Sequence, residues 1–351
     1  MELKKSKISV EDFILFNRQL ASMIKVDLPI PESLEKISAT MGKRKITKIL
    51  EEVTRDIRGG WSFSKAIARQ SMYFPPLYLS MIKAGEETGN LSTVLHQLIS
   101  HFQEIANLRK KVINTLIYPS IIVTISFMVL IFILTFTVPS FVSIFESFGA
   151  RLPLVTSVVI RIALFTRDNI LFIAGAGAFS ILMLLIFSKT QAGRFIIDAI
   201  KLKIPLVGKL LRNYSIFYFC RTLGDLLAAG VPIIDALELT KGVLENKVVK
   251  SAISKIREEV VEGSTVSGPL EKTGVFPATL IWMMKIGEKR GDLDEVLLEV
   301  GEFYHQEVIS RTDLMTKLVE PVLIMFLGIT IGAIVIAMYL PIFMLSTLIG
   351  G

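Results

Sequence analysis

From Val322 to the terminal Gly351 the chain carries no charged side chain, and from Pro119 to Val138 it carries none either. About 20 helical residues cover the roughly 30 Å of hydrocarbon in a bilayer, so each stretch is long enough to cross one. A third stretch, Ile170 to Phe187, is 18 uncharged residues that include Gly175 and Gly177, with Asp168 and Lys189 as its flanks. A chain that is 52% hydrophobic, only 20% charged and of mean hydropathy +0.58 has the composition such spans require, and it is neither a disordered chain nor an ordinary soluble domain. The apolar run Leu152 to Thr166 is interrupted by Arg161 and bounded by Arg151 and Arg167, which predicts an amphipathic helix at the outer face rather than a fourth span.

The start, MELKKSKISVEDF, is basic, but Glu11 and Asp12 interrupt the apolar core that a signal peptide needs. Residues 1–118 hold 18 Lys+Arg and 12 Asp+Glu, residues 139–169 hold 3 and 2, and residues 188–320 hold 18 and 18. Arg109, Lys110 and Lys111 precede the first span, while Lys189, Arg194, Lys201 and Lys203 follow the second. The positive-inside rule then puts both large polar regions in the cytoplasm, with a short loop and the C-terminus outside. Anionic lipid accounts for this basic excess without any nucleic acid.

The two polar regions are copies of one another. FNRQLASMIKVDLPIPESLE (16–35) aligns without a gap to FCRTLGDLLAAGVPIIDALE (219–238) at an offset of 203, and Gly60 and Ser64 continue it at Gly263 and Ser267. After a one-residue deletion the offset is 202, and YFPPLYLSMIKAGEETGNLSTVL (73–95) meets VFPATLIWMMKIGEKRGDLDEVL (275–297). The match runs on into the membrane, where Pro119, Pro139 and Phe141 pair with Pro321, Pro341 and Phe343. Ile46, Leu50, Val53 and Ile57 recur at helical spacing, as do Val249, Ile253, Ile256 and Val260, and nothing alternates with a period of two. The fold class expected is therefore all-α, an integral membrane protein with two homologous helical-bundle modules and three transmembrane helices. Its parts are a short basic N-terminus (1–11), module 1 (12–118), span 1 (119–138), and an external loop with the amphipathic segment (139–169). Span 2 (170–187), a basic juxtamembrane linker (188–214), module 2 (215–320), span 3 (321–345) and an external C-terminus (346–351) follow.

Catalytic constellations are not found. The nearest approach to a phosphate loop is GSTVSGPL (263–270), with Pro269 where a lysine must reach the phosphates. His96 and His101 stand five apart, roughly 140° around a helix, and so form no metal pair; with His305 they read as surface or interfacial residues. Cys220 beside Phe217, Tyr218 and Phe219 reads as a small buried hydrophobe, and one cysteine permits no intramolecular disulfide. No EF-hand-like loop is present, so catalytic, cofactor and metal residues are all expected to be none. Spans without an ionisable group argue against a transport pathway through this chain alone.

Two features carry more than composition. AGEETGNL (84–91) and IGEKRGDL (286–293) keep G-E-x-x-G-x-L twice. Gly85, Glu86 and Gly89, with Gly287, Glu288 and Gly291, are expected to form a tight inter-helix turn, the glycines supplying positive φ and the glutamate satisfying an orphan backbone N–H. The motif is alternatively a direct partner contact. Gly328 and Gly332 in span 3 have the small-xxx-small spacing of a helix-packing face. Pro119 and Pro321 mark where the chain enters the membrane.

A duplicated module with R-x-L-(x8)-P-(x4)-LE near its start, then F-P, then A-G-E-x-x-G-x-L and a Pro-started span, resembles the inner-membrane platform proteins of type II secretion systems and type IV pili, with relatives in archaeal filaments and DNA-uptake pili. The likeness covers roughly residues 12–145 and 215–347. It implies a non-enzymatic scaffold of two cytoplasmic six-helix domains and three spans in the inner membrane. By the same resemblance the partners are a cytoplasmic hexameric assembly ATPase, pilin or pseudopilin transmembrane helices, other inner-membrane assembly proteins, and further copies in a homo-oligomer. About ten residues precede the first module, fewer than in many members, so no docking role for a longer leader is expected. In module 2 Lys289 and Arg290 replace Glu87 and Thr88, and Trp282 stands where module 1 has Ser80, so the two modules are expected to have different partners. The alternative from another class is a subunit of a membrane transporter or membrane enzyme completed by oligomerisation. Residues 1–118 carry a net +6 (18 − 12) and residues 213–320 a net −5 (12 − 17), so the two modules are expected to meet electrostatically.

The charge distribution predicts topology directly. Cysteine introduced at Ser147 should react with an impermeant thiol reagent applied outside intact cells, and cysteine at Ser254 should not; the reverse pattern, or labelling of both, refutes it.

Overall fold

The computed structural model describes residues 8–42, 45–141 and 154–349, and among them there is no strand. The outer-loop segment 142–153 and residues 1–7, 350 and 351, parts of the expected external loop and termini, lie outside the described residues. The chain divides into two compact units, Met1–Lys111 with Phe195–Ser310, and Val112–Arg194 with Arg311–Gly351. The helical bundles of both copies of the repeat fall in the first, and the spans that continue them fall in the second.

Module 1 is built from α1 (Val10–Ile24), α2 (Ile30–Met41), α3 (Lys45–Arg58), α4 (Phe63–Arg69), α5 (Pro76–Glu87) and the start of α6 (Leu91–Phe132). Local sequence sets these limits. Ser9 Oγ accepts from Asp12 N at 3.0 Å to open α1, and Ser62 Oγ accepts from Lys65 N to open α4. Pro75 and Pro76 open α5, where a missing N–H costs nothing. The apolar stripe of α3 is buried at Ile46, Ile49, Leu50 and Val53 against α2. Phe13, Phe74, Tyr78 and Phe102 form the aromatic centre of the module, with Phe13 edge-on to Tyr78 and to Phe102, both at 4.9 Å. Each such fully buried side chain contributes about 1.5–3 kcal/mol.

Helices α7 (Leu154–Asp168), α8 (Ile170–Lys189) and α9 (Gln191–Lys203) lead to module 2. This is made of α10 (Val207–Ala228), α11 (Ile233–Val243), α12 (Lys247–Val261), α13 (Ser267–Lys272), α14 (Ala278–Arg290) and the start of α15 (Leu293–Ile349). Its six helices match those of module 1 in order. The segment read as a linker is largely helical. In it Asp198 of α9 accepts from Lys247 N at 3.0 Å, and with Asn246, which accepts from Val248 N and Val249 N, it caps α12. The first helix of module 2 also starts earlier than the repeat alone indicates, at Val207.

Three helices are long and apolar enough to cross a membrane: the one running from Leu91, Ile170–Ser188, and the one from Leu293. The first and last are continuous with the sixth helix of their module, through Pro119 and Pro321. In the second unit α6 passes into a wider π-helical turn, Ile133–Thr137. There α7 packs against it, burying Ala163 with Val138 and Ile334, while Thr156 Oγ1 donates to Ala337 O at 2.6 Å. The amphipathic run is thus a helix held by the ends of two spans.

The two cores differ in one buried polar pair. Tyr78 OH donates to Asn17 Oδ1 at 2.9 Å and Asn17 Nδ2 donates to Phe13 O at 2.8 Å, whereas the matching positions of module 2 are Cys220 and Leu280, both buried. Burial pushes the Tyr78 phenol and the Cys220 thiol well above their ordinary values, so both stay neutral. Tyr78→Phe should lower the stability of the full chain in detergent by about 1–2 kcal/mol, because Asn17 loses its donor without gaining water. Cys220 should resist maleimide until the chain is unfolded; thermal-shift and labelling measurements check both.

Candidate interaction site

The duplicated G-E-x-x-G-x-L motif joins the fifth and sixth helices of each module. Glu86 Oε1 accepts from Phe63 N at 2.7 Å and Glu86 Oε2 from Ser64 N at 3.0 Å, so the carboxylate seats on the N-terminus of α4. Glu288 repeats this on α13, accepting from Val266 N, from Ser267 N at 3.2 Å and from Ser267 Oγ. The four N-terminal N–H groups of a helix lack internal partners and favour negative charge, so a short helix of 6 or 7 residues gains most from such a clamp. Two of the N–H groups in the segment that resembled a phosphate loop are therefore already occupied by Glu288. Burial works against the charged form of Glu86, but the hydrogen bonds from Ser64, Phe63 and Ser62 outweigh it and hold its pKa below the ordinary glutamate value.

The glycines divide into two roles, which corrects the sequence reading. Gly89 and Gly291 have φ of 72° and 81° and make the left-handed turn. Gly85 and Gly287 do not: they lie within α5 and α14, where the sixth helix crosses closely. A Cβ on Gly85 would stand 2.9 Å from Val94 Cγ2, and one on Gly287 would stand 3.1 Å from Val296 Cγ2. The requirement there is space, not backbone freedom.

The modules meet through a cluster that sequence inspection missed. His101 Nδ1–H of α6 donates to Asp225 Oδ2 of α10 at 2.7 Å, with both side chains buried. Arg221 Nε donates to the same oxygen at 2.9 Å, its Nη2 to Ser100 Oγ at 2.9 Å, and its Nη1 pairs with Glu104 Oε2 at 2.7 Å. Module 2 thus supplies Arg221 and Asp225 and module 1 supplies Ser100, His101 and Glu104. The expected contact between modules exists within one chain, but the Arg221–Glu104 pair runs opposite in sign to the net charges of the modules. Residues 101 and 225 are 124 apart in sequence, beyond any local pattern. One signal was present, since the repeat keeps Arg18 and Arg221 but sets Ser22 against Asp225 and Phe303 against His101.

Among the other sequence candidates, Pro119 and Pro321 lie inside α6 and α15, and among the described residues nothing comes within 4 Å of a Cβ placed on Gly328 or Gly332. His305 lies against Phe217 at 5.3 Å and beside Glu302. No group of three or more His, Cys, Asp or Glu suited to a metal ion occurs among the described residues.

A six-helix bundle present twice, each copy running on as an apolar span, defines a membrane-embedded scaffold with an internal duplication. The family described as Type II secretion system (T2SS), protein F, matches the chain twice, at residues 16–139 and 219–341. Type IV pilus assembly protein PilC of Pseudomonas aeruginosa is 32% identical over 345 residues, covering 98% of this chain and 92% of that protein. Type IV pilus assembly protein TapC of Aeromonas hydrophila is 33% identical, covering 98% and 84%, and Type II secretion system protein F of Pseudomonas aeruginosa is 31% identical, covering 98% and 85%. The chain belongs to the type II secretion system protein F family.

Removing one member of the inter-module cluster leaves a buried charge without its partner, which typically costs about 3–5 kcal/mol. Arg221→Ala should therefore destabilise the full chain far more than Arg58→Ala, whose pair with Glu35 is exposed. Gly85→Val should cost about 1–3 kcal/mol by overpacking against Val94. Glu86 contributes stability above the ordinary glutamate pKa, lost as pH falls through its lowered folded value, and Glu86→Gln should abolish that acid dependence. Unfolding midpoints across pH in detergent measure all three.

Proposed function

We propose that this chain is the inner-membrane platform of a type IV pilus or type II secretion machine. In this reading a cytoplasmic hexameric ATPase acts on the two modules, and their movement drives pilin or pseudopilin helices out of the bilayer into a growing filament. The modules face the cytoplasm, and further copies of the chain, other inner-membrane assembly proteins and anionic lipid complete the assembly. The chain is a scaffold and not an enzyme. One observation carries the coupling role: α6 and α15 each run without a break from a module into an apolar span. An unbroken helical backbone gives each module a direct covalent connection to its span, and in both helices that connection includes an interior proline, Pro119 or Pro321, which lacks the N–H for one helical hydrogen bond. Charge-free spans fit lateral contact with other apolar helices better than an ion path.

The test interrupts that continuity. Four Gly-Ser residues inserted after Val112 in α6 should abolish filament assembly in cells while leaving the chain in the membrane at normal abundance. Photo-crosslinkers at exposed module positions should capture a hexameric ATPase. Normal filaments from the insertion variant, or ATP hydrolysis by the purified chain itself, overturn the proposal.

A further inference from the structure

The contact between the modules is one-sided. Module 1 contributes chiefly its fifth and sixth helices, and module 2 its first and second: α6 meets α10 through His101–Asp225 and Arg221–Glu104, α5 borders α11 across a groove, and only the first residues of α1, Val10 and Glu11, share a cavity with Tyr218 and Val243. The groove, of ≈ 330 Å³, is walled on one side by Ser80, Ala84 and Thr88 and on the other by Val231, Pro232 and Asp235. A two-fold relation between the modules would pair each face with its counterpart twice. Here the counterpart faces, α14/α15 of module 2 and α1/α2 of module 1, are left open.

The exposures follow this division position by position. Ala229 of module 2 is 6% exposed, and its repeat mate Val26 is 73% exposed. His101 of module 1 is 1% exposed, and its mate Phe303 is 57% exposed. Trp282, the mate of the groove residue Ser80, is 62% exposed. Leu15 is exposed where its mate Tyr218 is buried. Single exposed apolar residues need no explanation, but these lie on the two faces whose repeat mates are covered. Their charges can be matched pair by pair. The α14 face carries Lys285, Lys289 and Arg290 while α15 adds Glu299 and Glu302; Asp27 lies in the turn before α2, Glu32, Glu35 and Lys36 lie in α2, and Arg18 and Lys25 belong to the α1 side. Those of them already paired are paired on the surface, as Arg290 is with Asp292 and Glu35 with Arg58, where exchange costs little.

We propose that a second copy of this chain docks head to tail, the α14/α15 face of its module 2 seating on the α1/α2 face of module 1 of its neighbour, repeating between chains the step that already joins the modules within one. Trp282 and Phe303 enter against Leu15, Val26 and the start of α2, and Lys289 and Arg290 meet Glu32 and Glu35. A heterologous contact of this kind generates a ring if the rotation closes and an open array if it does not. The inference rests on the reading that the chain assembles with itself, and it specifies the surface.

The experiment uses full chains in the membranes of the expressing cell, in two differently tagged versions, with a short bis-maleimide. Thr88→Cys with Asp235→Cys in one chain is the geometric control, and it should close within the chain. Arg290→Cys in one version and Glu32→Cys in the other should give a mixed-tag dimer, and Trp282→Asp or Phe303→Asp should lower its yield roughly fivefold or more. Trp61→Asp, exposed on another surface, should leave it unchanged. A closed control with no mixed dimer overturns the proposal, as does an equal yield from Arg290→Cys with itself. If an amine-reactive crosslinker still captures dimers when the cysteine pair fails, self-association survives and the head-to-tail face falls; if neither captures any, both fall.

Discussion

Asp225 keeps only 3% of its side chain in contact with water, and a carboxylate so placed has to be matched or neutralised. It is matched on both sides: Arg221, four residues before it on the same helix, holds one direction, and His101 from the other module holds the second. Arg221 in turn reaches Ser100 and Glu104 on α6, so five side chains are joined by hydrogen bonds and an ion pair across the boundary. Apolar packing alone leaves two bundles free to slide, since burial has no preferred direction. Directional bonds to a buried charge fix one register. The single body formed by the modules, the groove between α5 and α11, and the division into covered and open faces all follow from that register.

The repeat, the spans and the helical class were legible because each is a pattern of local sequence: uncharged runs of bilayer length, apolar residues at three- and four-residue steps, and prolines and serines at helix starts. The motif glutamates were legible in kind, as carboxylates for orphan N–H groups, although their targets lie 22 or so residues upstream on α4 and α13. The glycines were not. A glycine in a turn-like sequence suggests positive φ, and Gly89 and Gly291 have it, but Gly85 and Gly287 answer to Val94 and Val296 on the neighbouring helix. Close approach between helices leaves no mark that differs from a turn glycine four positions away.

The inter-module cluster was illegible for a different reason. It joins residues more than a hundred positions apart, and each member taken singly is an ordinary surface type. What sequence does record is where the copies disagree. The arginine is kept at 18 and 221, but only the second has an aspartate four residues on, and only the first copy has a histidine where the other has Phe303. In a duplicated protein, polar residues present in one copy alone point to the contact that distinguishes the copies, just as Asn17 and Tyr78 mark the core of module 1 against Cys220 and Leu280.

The covalent path through α7, α8 and α9 has its own consequence for this cluster. Two separate bundles would have to lose translational and rotational freedom to meet, on top of stripping water from Asp225, Arg221 and Glu104. Joined in one chain, they close as a unimolecular step, whose effective local concentration is set by the tether and not by the number of chains. The tether therefore makes closure of this polar boundary independent of expression level. It also fixes the ratio of the two bundles at one to one, so that dilution in the membrane changes how many chains meet but never whether a chain is internally assembled.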